Sequence, residues 1–278
     1  MSAAFTDEQM RLAARLYYLD GLGQAEVARF VKVSQAKISR LLAAARERGI
    51  VRISVDDYEP RDTALEKRLL KAFPLRAAAV VRTLPGASAE DARRSTGHFG
   101  AAFVKSLVPP GGTVAVAGGR TMRDLAAALP EGIIPDLTLV QAMGSIDSTL
   151  TSVDALELGR SMAHRWGGSF IALNTPAFVP DKDTRDAFLS LDQLRSVWRR
   201  FSTVGVALVG IGTLDNSVFV ERGILNASDL DNLRAAGAVG EIFGRFYDVR
   251  GRECDTPWSG RVLSMSLAQL KKVPQVIG

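Results

Sequence analysis

Short apolar runs alternate with helical segments from residue 77 to the end of the 278-residue chain, and this alternation restricts the fold most. The runs are rich in Val, Ala and Leu, as expected of strands buried on both faces. Such strands, separated by helices, form a mostly parallel sheet with helices packed on either side. The predicted strands are residues 77–82, 113–118, 137–143, 169–173, 204–210 and 261–266, and the predicted helices are 89–107, 121–129, 152–166, 181–199 and 228–235. This region is therefore predicted to be an α/β domain.

The first 55 residues have a different pattern, of three helices followed by one short strand. Thr6 is suited to cap the first helix, residues 24–31 form the second, and Ser34 is suited to cap the third, which ends near Gly49. Apolar residues of the third helix are spaced for a single buried face: Ile38, Leu41, Leu42 and Ala45. Residues 50–55 alternate in the manner of a strand.

Two helices joined by a tight turn and braced by another helix form a helix-turn-helix unit, whose second helix enters the major groove of DNA. Residues 1–55 carry nine cationic and five anionic side chains, so they hold +4 of the chain's net charge of +5. A small basic module attached to a nearly neutral domain is typical of nucleic-acid binding. Residues 1–55 are therefore predicted to be a winged helix-turn-helix domain, with residues 50–55 as the wing.

The outer face of the third helix carries side chains suited to reading DNA. Gln can bind adenine, Arg and Lys can bind guanine, and Ser can contact phosphate. The residues predicted to contact DNA are Ser34, Gln35, Ala36, Lys37, Ser39 and Arg40, with Arg52 on the wing. A three-helix bundle with a solvated cationic face is the alternative that the pattern leaves open.

The segment between the two patterns begins with the acidic, proline-containing sequence DDYEPR at residues 56–61. Leu65, Leu69 and Phe73 follow with the spacing of one helix face, which could pair subunits or pack on its own domain. Residues 56–76 are thus predicted to be a linker and connecting helix, and residues 77–278 to be the larger domain.

The composition argues against several classes of protein. A hydrophobic content of 47% and a charged content of 23% are ordinary for a globular protein, and no apolar stretch approaches the roughly 20 residues of a membrane span. The N-terminus lacks the pattern of a secretory signal. Cys254 is the single cysteine and only His98 and His164 accompany it, which argues against a disulfide framework and a zinc site. We expect a cytoplasmic protein with no membrane contact, metal or cofactor.

Several segments, in their order along the chain, resemble landmarks of one family. They are QAEVARFVKVSQAKISRLLAAARERGIVRISV, TVAVAGGRTM, LVQAMGS, VALVGIGTLDNS and GAVGEIFGRFYDVRG. The chain resembles the SorC family of bacterial transcriptional regulators over essentially its whole length. The helix-turn-helix alone is a weak signal, whereas its combination with GAVGEIFGRFYD is specific.

The resemblance implies a sensor domain similar in fold to sugar-phosphate isomerases and deaminases. It implies a regulator of carbohydrate-metabolism genes whose partners are operator DNA, a phosphorylated sugar or related metabolite, and further copies of itself in a dimer or tetramer. Family members continue past the sequence PQVIG into a glycine-rich turn with a lysine. The resemblance therefore predicts that residues 77–278 lack this phosphate-facing element and part of the sheet.

The effector site is predicted where strands end, because ligands of open α/β sheets bind beyond the carboxyl ends of strands. Gly118 and Gly119 separate a strand from a helix start, so the following amides can face an anion, although such a turn also serves tight packing. Glu241, where the family usually has Asp, lies in a predicted glycine-rich turn. The candidate residues are Gly118, Gly119, Arg120, Thr121, Gln141, Gly144, Gly212 and Glu241. Among these, Arg120 could equally project to solvent and Gly212 could be a turn residue.

The alternative function is an enzyme of the isomerase and deaminase type. The deaminases that the fold resembles carry a histidine after their GxGxD loop, whereas this chain has Asn216 and Ser217 there. Neither His98 nor His164 has an acid or base partner at a recognisable spacing. We therefore predict that the chain has no catalytic residues.

Overall fold

The computed structural model describes residues 5–56, 58–147, 151–215 and 217–278. Contacts between residues divide the chain into two compact units, Met1–Glu59 and Pro60–Gly278. The predicted first domain, residues 1–55, ends shortly before this division. The predicted connecting helix belongs to the second unit.

The first unit is built from three helices, α1 (Asp7–Ala14), α2 (Gln24–Val31) and α3 (Gln35–Glu47), with a π-helical segment, Arg15–Leu19, that continues α1. The predicted caps are confirmed, since the side chains of Thr6 and Ser34 accept hydrogen bonds from backbone amides of α1 and α3. The three helices bury one shared apolar cluster that includes Met10, Val27 and Ile38. This cluster gives the unit a hydrophobic core of its own.

The second unit contains nine further helices and seven strands within its described residues. Its helices are α4 (Thr63–Ala72), α5 (Ala89–Ser106), α6 (Arg120–Ala128), α7 (Ala155–Trp166), α8 (Lys182–Ser190), α9 (Asp192–Arg200), α10 (Val218–Glu221), α11 (Ala227–Ala235) and α12 (Leu267–Leu270). Its strands are β1 (Thr113–Val116), β2 (Thr138–Gln141), β3 (Ser169–Ile171), β4 (Val206–Leu208), β5 (Ala238–Ile242), β6 (Arg245–Asp248) and β7 (Gln275–Ile277).

Five of these strands form a parallel sheet in the order β3-β2-β1-β4-β7, which confirms the predicted α/β fold. Successive side chains of a strand point to opposite faces. Accordingly Val114 and Val116 belong to one buried cluster, with residues of α5, α6 and α7, while Ala115 belongs to a second cluster on the other face. Both faces of the sheet are therefore covered.

Strands β5 and β6 form an antiparallel hairpin joined by Phe243 and Gly244. Both turn residues have positive φ, 57° and 71°, as a two-residue type I′ turn requires. The Trp258 indole nitrogen donates a 2.8 Å hydrogen bond to the carbonyl of Gly244. This buried contact fixes the turn, which lines the cavity described below.

Several predicted elements are wrong. Residues 50–55 form no strand, so the predicted wing is absent from the described residues; no second strand pairs with this segment, and Ile53 and Val55 are exposed. Residues 77–82 and 261–266 make only isolated bridges. The predicted helix at 181–199 is two helices, since Leu191 between them has extended backbone. The hairpin of β5 and β6 and the strand β7 were not predicted.

We expect Leu139→Ala to lower the free energy of unfolding of the second unit by about 3 kcal/mol, because it opens a cavity in a close-packed core. Leu139 lies in the middle of β2 and is fully buried. Leu191→Ala is the matched control, because Leu191 is 54% exposed and should cost less than about 0.5 kcal/mol. Urea unfolding of both variants measures the difference, and equal losses would contradict the assigned core.

Candidate functional sites

Helix α3 is fixed in position by its cap and by its buried face. The hydroxyl of Ser34 accepts a 3.2 Å hydrogen bond from the amide of Lys37. The side chains on the inward face of α3 are all buried: Ile38, Leu41, Leu42 and Ala45. Lys32 ends α2 in the left-handed conformation, φ 56°, so only Lys32 and Val33 separate that helix from the Ser34 cap. This short connection between two helices is that of a helix-turn-helix unit.

The outward face of α3 carries most of the residues predicted to contact DNA. Gln35, Ala36, Ser39 and Arg40 are exposed, and Lys37 is partly exposed. The Arg40 side chain donates a 3.3 Å hydrogen bond from Nε to the carbonyl of Ala36, one turn earlier on the same helix. Polar and small side chains thus form a continuous face at the start of the helix.

The two remaining residues predicted to contact DNA, Ser34 and Arg52, do not lie on this outward face of α3. The Ser34 hydroxyl is engaged in capping as an acceptor, although its proton can still be donated to a phosphate. Arg52 is exposed on a segment that forms no strand, so no wing orients it. Nearby, Arg48 contacts Asp7 at 3.3 Å and therefore joins the end of α3 to the start of α1.

A cavity of about 590 Å³ lies in the second unit at the carboxyl ends of β1 and β4. In the sheet, β2 lies on one side of β1 and β4 lies on the other. The connections that follow β1 and β4 therefore run in opposite directions and leave a crevice between them. The loop after β1, the start of α6, the loop after β4, helix α10 and the β5–β6 hairpin line it. Seven of the eight predicted effector residues are in the lining: Gly118, Gly119, Arg120, Thr121, Gly144, Gly212 and Glu241.

The start of α6 presents backbone amides that no side chain caps. Gly119 occupies the cap position with φ +126°, a conformation that favours glycine, and its amide donates a 2.9 Å hydrogen bond to the carbonyl of Val153. A side chain at Gly118 would lie 2.4 Å from the same carbonyl oxygen. The first amides of a helix have no acceptor within it and carry the positive end of its dipole. This edge of the cavity can therefore bind an anion.

Glu241 also lines the cavity, and it lies in strand β5 and not in the predicted turn. Its backbone exchanges two 3.0 Å hydrogen bonds with Gly212, and a side chain at Gly212 would lie 2.8 Å from Cγ of Glu241. Gly212 is therefore required for close approach of the two segments. The Ser217 hydroxyl donates a 3.1 Å hydrogen bond to the carboxylate. Burial raises the pKa of Glu241 to about 7, against which the Ser217 contact acts weakly.

Gln141 is the one predicted effector residue that does not line the cavity. It is buried at the end of β2, where its Oε1 accepts a 2.8 Å hydrogen bond from the amide of Leu173. Its side chain thus serves the connection to the neighbouring strand. Gly144 has a packing role as well, because a side chain there would lie 2.2 Å from the carbonyl oxygen of Pro176.

Ion pairs surround the cavity, and the sequence did not predict them. Arg120 at the start of α6 lies 3.3 Å from Glu221, and Arg222 pairs with Asp147. Two further lining cations, Arg93 and Arg123, both contact Asp124. Except for the pair of the adjacent residues Arg123 and Asp124, these pairs join residues far apart in the chain, so no local pattern could have identified them.

Among the described residues, the two histidines lie away from the cavity and no cluster of metal ligands is found. His98 contacts the ring of Phe99, His164 is exposed in the last turn of α7, and neither lines the cavity. Across the described ranges, no three His, Cys, Asp or Glu side chains are gathered where they could hold a metal ion. Asn216 lies outside the described residues. Within those same ranges no helix has the length and apolar content to cross a membrane.

Comparison with known proteins gives consistent similarities. Residues 60–278 match the family model described as "Sugar-bind: Putative sugar-binding domain". The sorbitol operon regulator of Klebsiella pneumoniae is 30% identical over 272 residues, which cover 95% of this chain and 85% of that protein. The crystal structure of the full-length sorbitol operon regulator SorC from Klebsiella pneumoniae has a TM-score of 0.75 at 29% identity, covering 99% of this chain and 89% of that one. The uncharacterized transcriptional regulator YjhU of Escherichia coli (strain K12) is 28% identical, over 99% of this chain and 85% of its own length.

We expect Glu241→Gln to remove a pH-dependent cost of folding. The pKa of about 7 lies above the ordinary value of 4.5, so between these pH values the folded chain binds more protons than the unfolded chain. Stability from this carboxyl is therefore present at low pH and lost as pH rises toward 7 and beyond. Relative to Glu241→Gln, the free energy of unfolding of the natural chain should fall by about 3 kcal/mol from pH 4.5 to pH 8.

Denaturant unfolding of the two chains across this pH range measures the change. Other titrating groups are the same in both chains and cancel in the difference. A difference that does not vary with pH would contradict protonation of the buried carboxyl.

Proposed function

The chain belongs to the SorC family of transcriptional regulators, and we propose that it binds operator DNA through α3 and a small phosphorylated sugar or related metabolite in the cavity. The observation that carries the effector half of this proposal is the cavity at the divergence of β1 and β4, whose lining includes both the uncapped start of α6 and the carboxyl group of Glu241. A phosphate is the chemical complement of the helix amides, and sugar hydroxyl groups are the complement of the carboxyl group.

The DNA half of the proposal is supported by α3. Its apolar residues are used within the first unit, so its outward residues are available to a groove. Gln35 can bind adenine, and Arg40 can bind guanine once its bond to the helix carbonyl is exchanged for a base. Lys37 and Arg52 can contact phosphates, which position the helix without specifying sequence.

Anion binding in the cavity would use the amides at the start of α6, with Thr121 adding a hydroxyl and Arg120 a charge. The sugar hydroxyl groups would extend toward Glu241 and Ser217. A carboxyl group with a pKa near neutrality can either donate or accept a hydrogen bond, which suits a hydroxylated ligand. Similarity to the sorbitol operon regulator favours a sugar or sugar alcohol as the ligand class.

Regulation would follow from linkage between the two ligands. An effector that binds the DNA-competent and DNA-incompetent arrangements with different affinity shifts their populations, and DNA must change effector affinity by the same factor. We also propose a homo-oligomer, a dimer or tetramer, because paired recognition helices match the two halves of a palindromic operator. As a regulator at a bacterial operator, the protein would act in the cytoplasm.

We propose that the chain does not catalyse a reaction. Isomerases and deaminases of similar fold need a positioned acid and base about the substrate. Glu241 could move a proton, yet His98 and His164 lie away from the cavity and Asp215 does not line it. The relatives reported above are regulators, which favours binding without turnover.

The DNA proposal predicts that Lys37→Ala and Arg40→Ala weaken binding to a footprinted operator by about 1–3 kcal/mol each, with Arg40→Ala also relaxing the sequence preference. Fluorescence anisotropy with operator and scrambled duplexes measures both effects at fixed salt. Arg160→Ala on α7 is the control, because it removes an exposed cation of the other unit and should leave affinity unchanged. Unchanged affinity and preference in both α3 variants would refute the assignment of the recognition helix.

The effector proposal predicts that phosphorylated sugars raise the melting temperature of the chain and their unphosphorylated forms do not. Ligands bound only by the native state stabilise it, by about 2.7 kcal/mol at 100 times the dissociation constant. Matched pairs such as sorbitol and sorbitol 6-phosphate, or ribose and ribose 5-phosphate, isolate the contribution of the phosphate. Equal shifts within every pair would indicate an uncharged effector, and steady turnover of any compound would favour the enzyme alternative.

A further inference from the structure

Helix α10 carries charged residues over the cavity from a base that is fixed in the core. Ser217 caps the helix and is fully buried, and Phe219 packs edge-on against Trp258 with its ring almost entirely buried. Glu221 and Arg222, at the other end of this short helix, both line the cavity. The helix backbone is thus anchored while its charged end faces the ligand space.

Two ion pairs connect this end of α10 to two other segments that line the cavity. Glu221 lies 3.3 Å from Arg120, the first residue of α6, and Arg222 pairs with Asp147 in the loop after β2. Arg120 is itself the first residue of α6, and both partners of this pair line the cavity together with the uncapped start of α6. A negative side chain of the protein is thus already paired with a cation that an anionic ligand at the start of α6 could use.

We propose that Glu221 is a built-in competitor of the effector's anionic group, held on Arg120 until a ligand with greater negative charge displaces it. The proposal rests on the proposed function, in which that anionic group binds at the start of α6. It assigns to Glu221 a role in selectivity, because the ligand must compete with a carboxylate for the same guanidinium.

The strength of the pair suits such a role. The Arg120 and Glu221 side chains are 45% and 62% exposed, and ion pairs this exposed are weak because solvent screens them. A phosphate dianion can also accept hydrogen bonds from the α6 amides, which Glu221 is not observed to do. The phosphate therefore gains more binding free energy at this position than the Glu221 carboxylate loses when it is displaced. A ligand with one negative charge or none has less to gain, so Glu221 favours phosphorylated ligands.

The test compares phosphate binding by the natural chain and by Glu221→Gln. The substitution removes the competing charge and its repulsion of the ligand while keeping the size of the side chain. Inorganic phosphate, titrated by calorimetry at low ionic strength with ribose 5-phosphate as a second probe, should bind about fivefold more tightly to the variant. Glu157→Gln is the matched control, because it breaks a comparable pair with Arg160 on α7 outside the cavity and should change nothing.

A second background distinguishes competition from a general charge effect. With Arg120→Gln already present, Glu221→Gln should give much less than the fivefold gain, because there is no guanidinium to release. Tighter binding to Glu221→Gln that depends on Arg120 supports the proposal. Equal or weaker binding to Glu221→Gln, in a chain that binds phosphate, overturns it while leaving the effector site intact. If no chain binds phosphate or a sugar phosphate, both this inference and the anion site of the proposed function are wrong.

Discussion

Burial of both faces of one parallel sheet is the constraint on which the rest of the second unit depends. Parallel strands require crossover connections, so helices must lie on the two faces and their start points must meet the carboxyl ends of the strands. In the order β3-β2-β1-β4-β7, the strands β2 and β4 lie on opposite sides of β1. Because the connections after β1 and β4 run away from each other, they do not fill the space between them. The cavity is therefore a consequence of topology, and its residues are those that follow these two strands.

The chemistry of the cavity comes from how closely the backbone segments approach one another. A Cβ at Gly118 would collide with a neighbouring carbonyl oxygen, and a Cβ at Gly212 would collide with the side chain of Glu241. Because glycine has no Cβ, the backbone amides and Glu241 can reach the ligand space. Burial then keeps the pKa of Glu241 near neutrality, while the exposed Arg120–Glu221 pair stays responsive to an added anion. The lining of the cavity thus combines a carboxyl group whose pKa lies near neutrality with a solvent-exposed ion pair.

Local patterns in the sequence predicted the structure correctly where a residue's role depends on its neighbours in the chain. The caps at Thr6 and Ser34, the buried face of α3 and the strands β1 to β4 are of this kind. They failed where pairing decides the outcome, because residues 50–55 look like a strand but find no partner, and 261–266 make only isolated bridges. Other features depend on contacts between distant segments, which a single sequence does not reveal. They are the hairpin that carries Glu241, the hydrogen bond of the Gln141 side chain to Leu173, and the ion pair of Glu221 with Arg120.

In the proposed mechanism a cavity ligand and DNA are linked through one protein. This linkage is tested by measuring operator affinity with and without a saturating phosphorylated sugar, and the affinity of that sugar with and without the operator duplex. Both affinities should change by the same factor, different from one, since linkage is reciprocal. Identical operator affinity in the presence and absence of a sugar phosphate that demonstrably fills the cavity would contradict it.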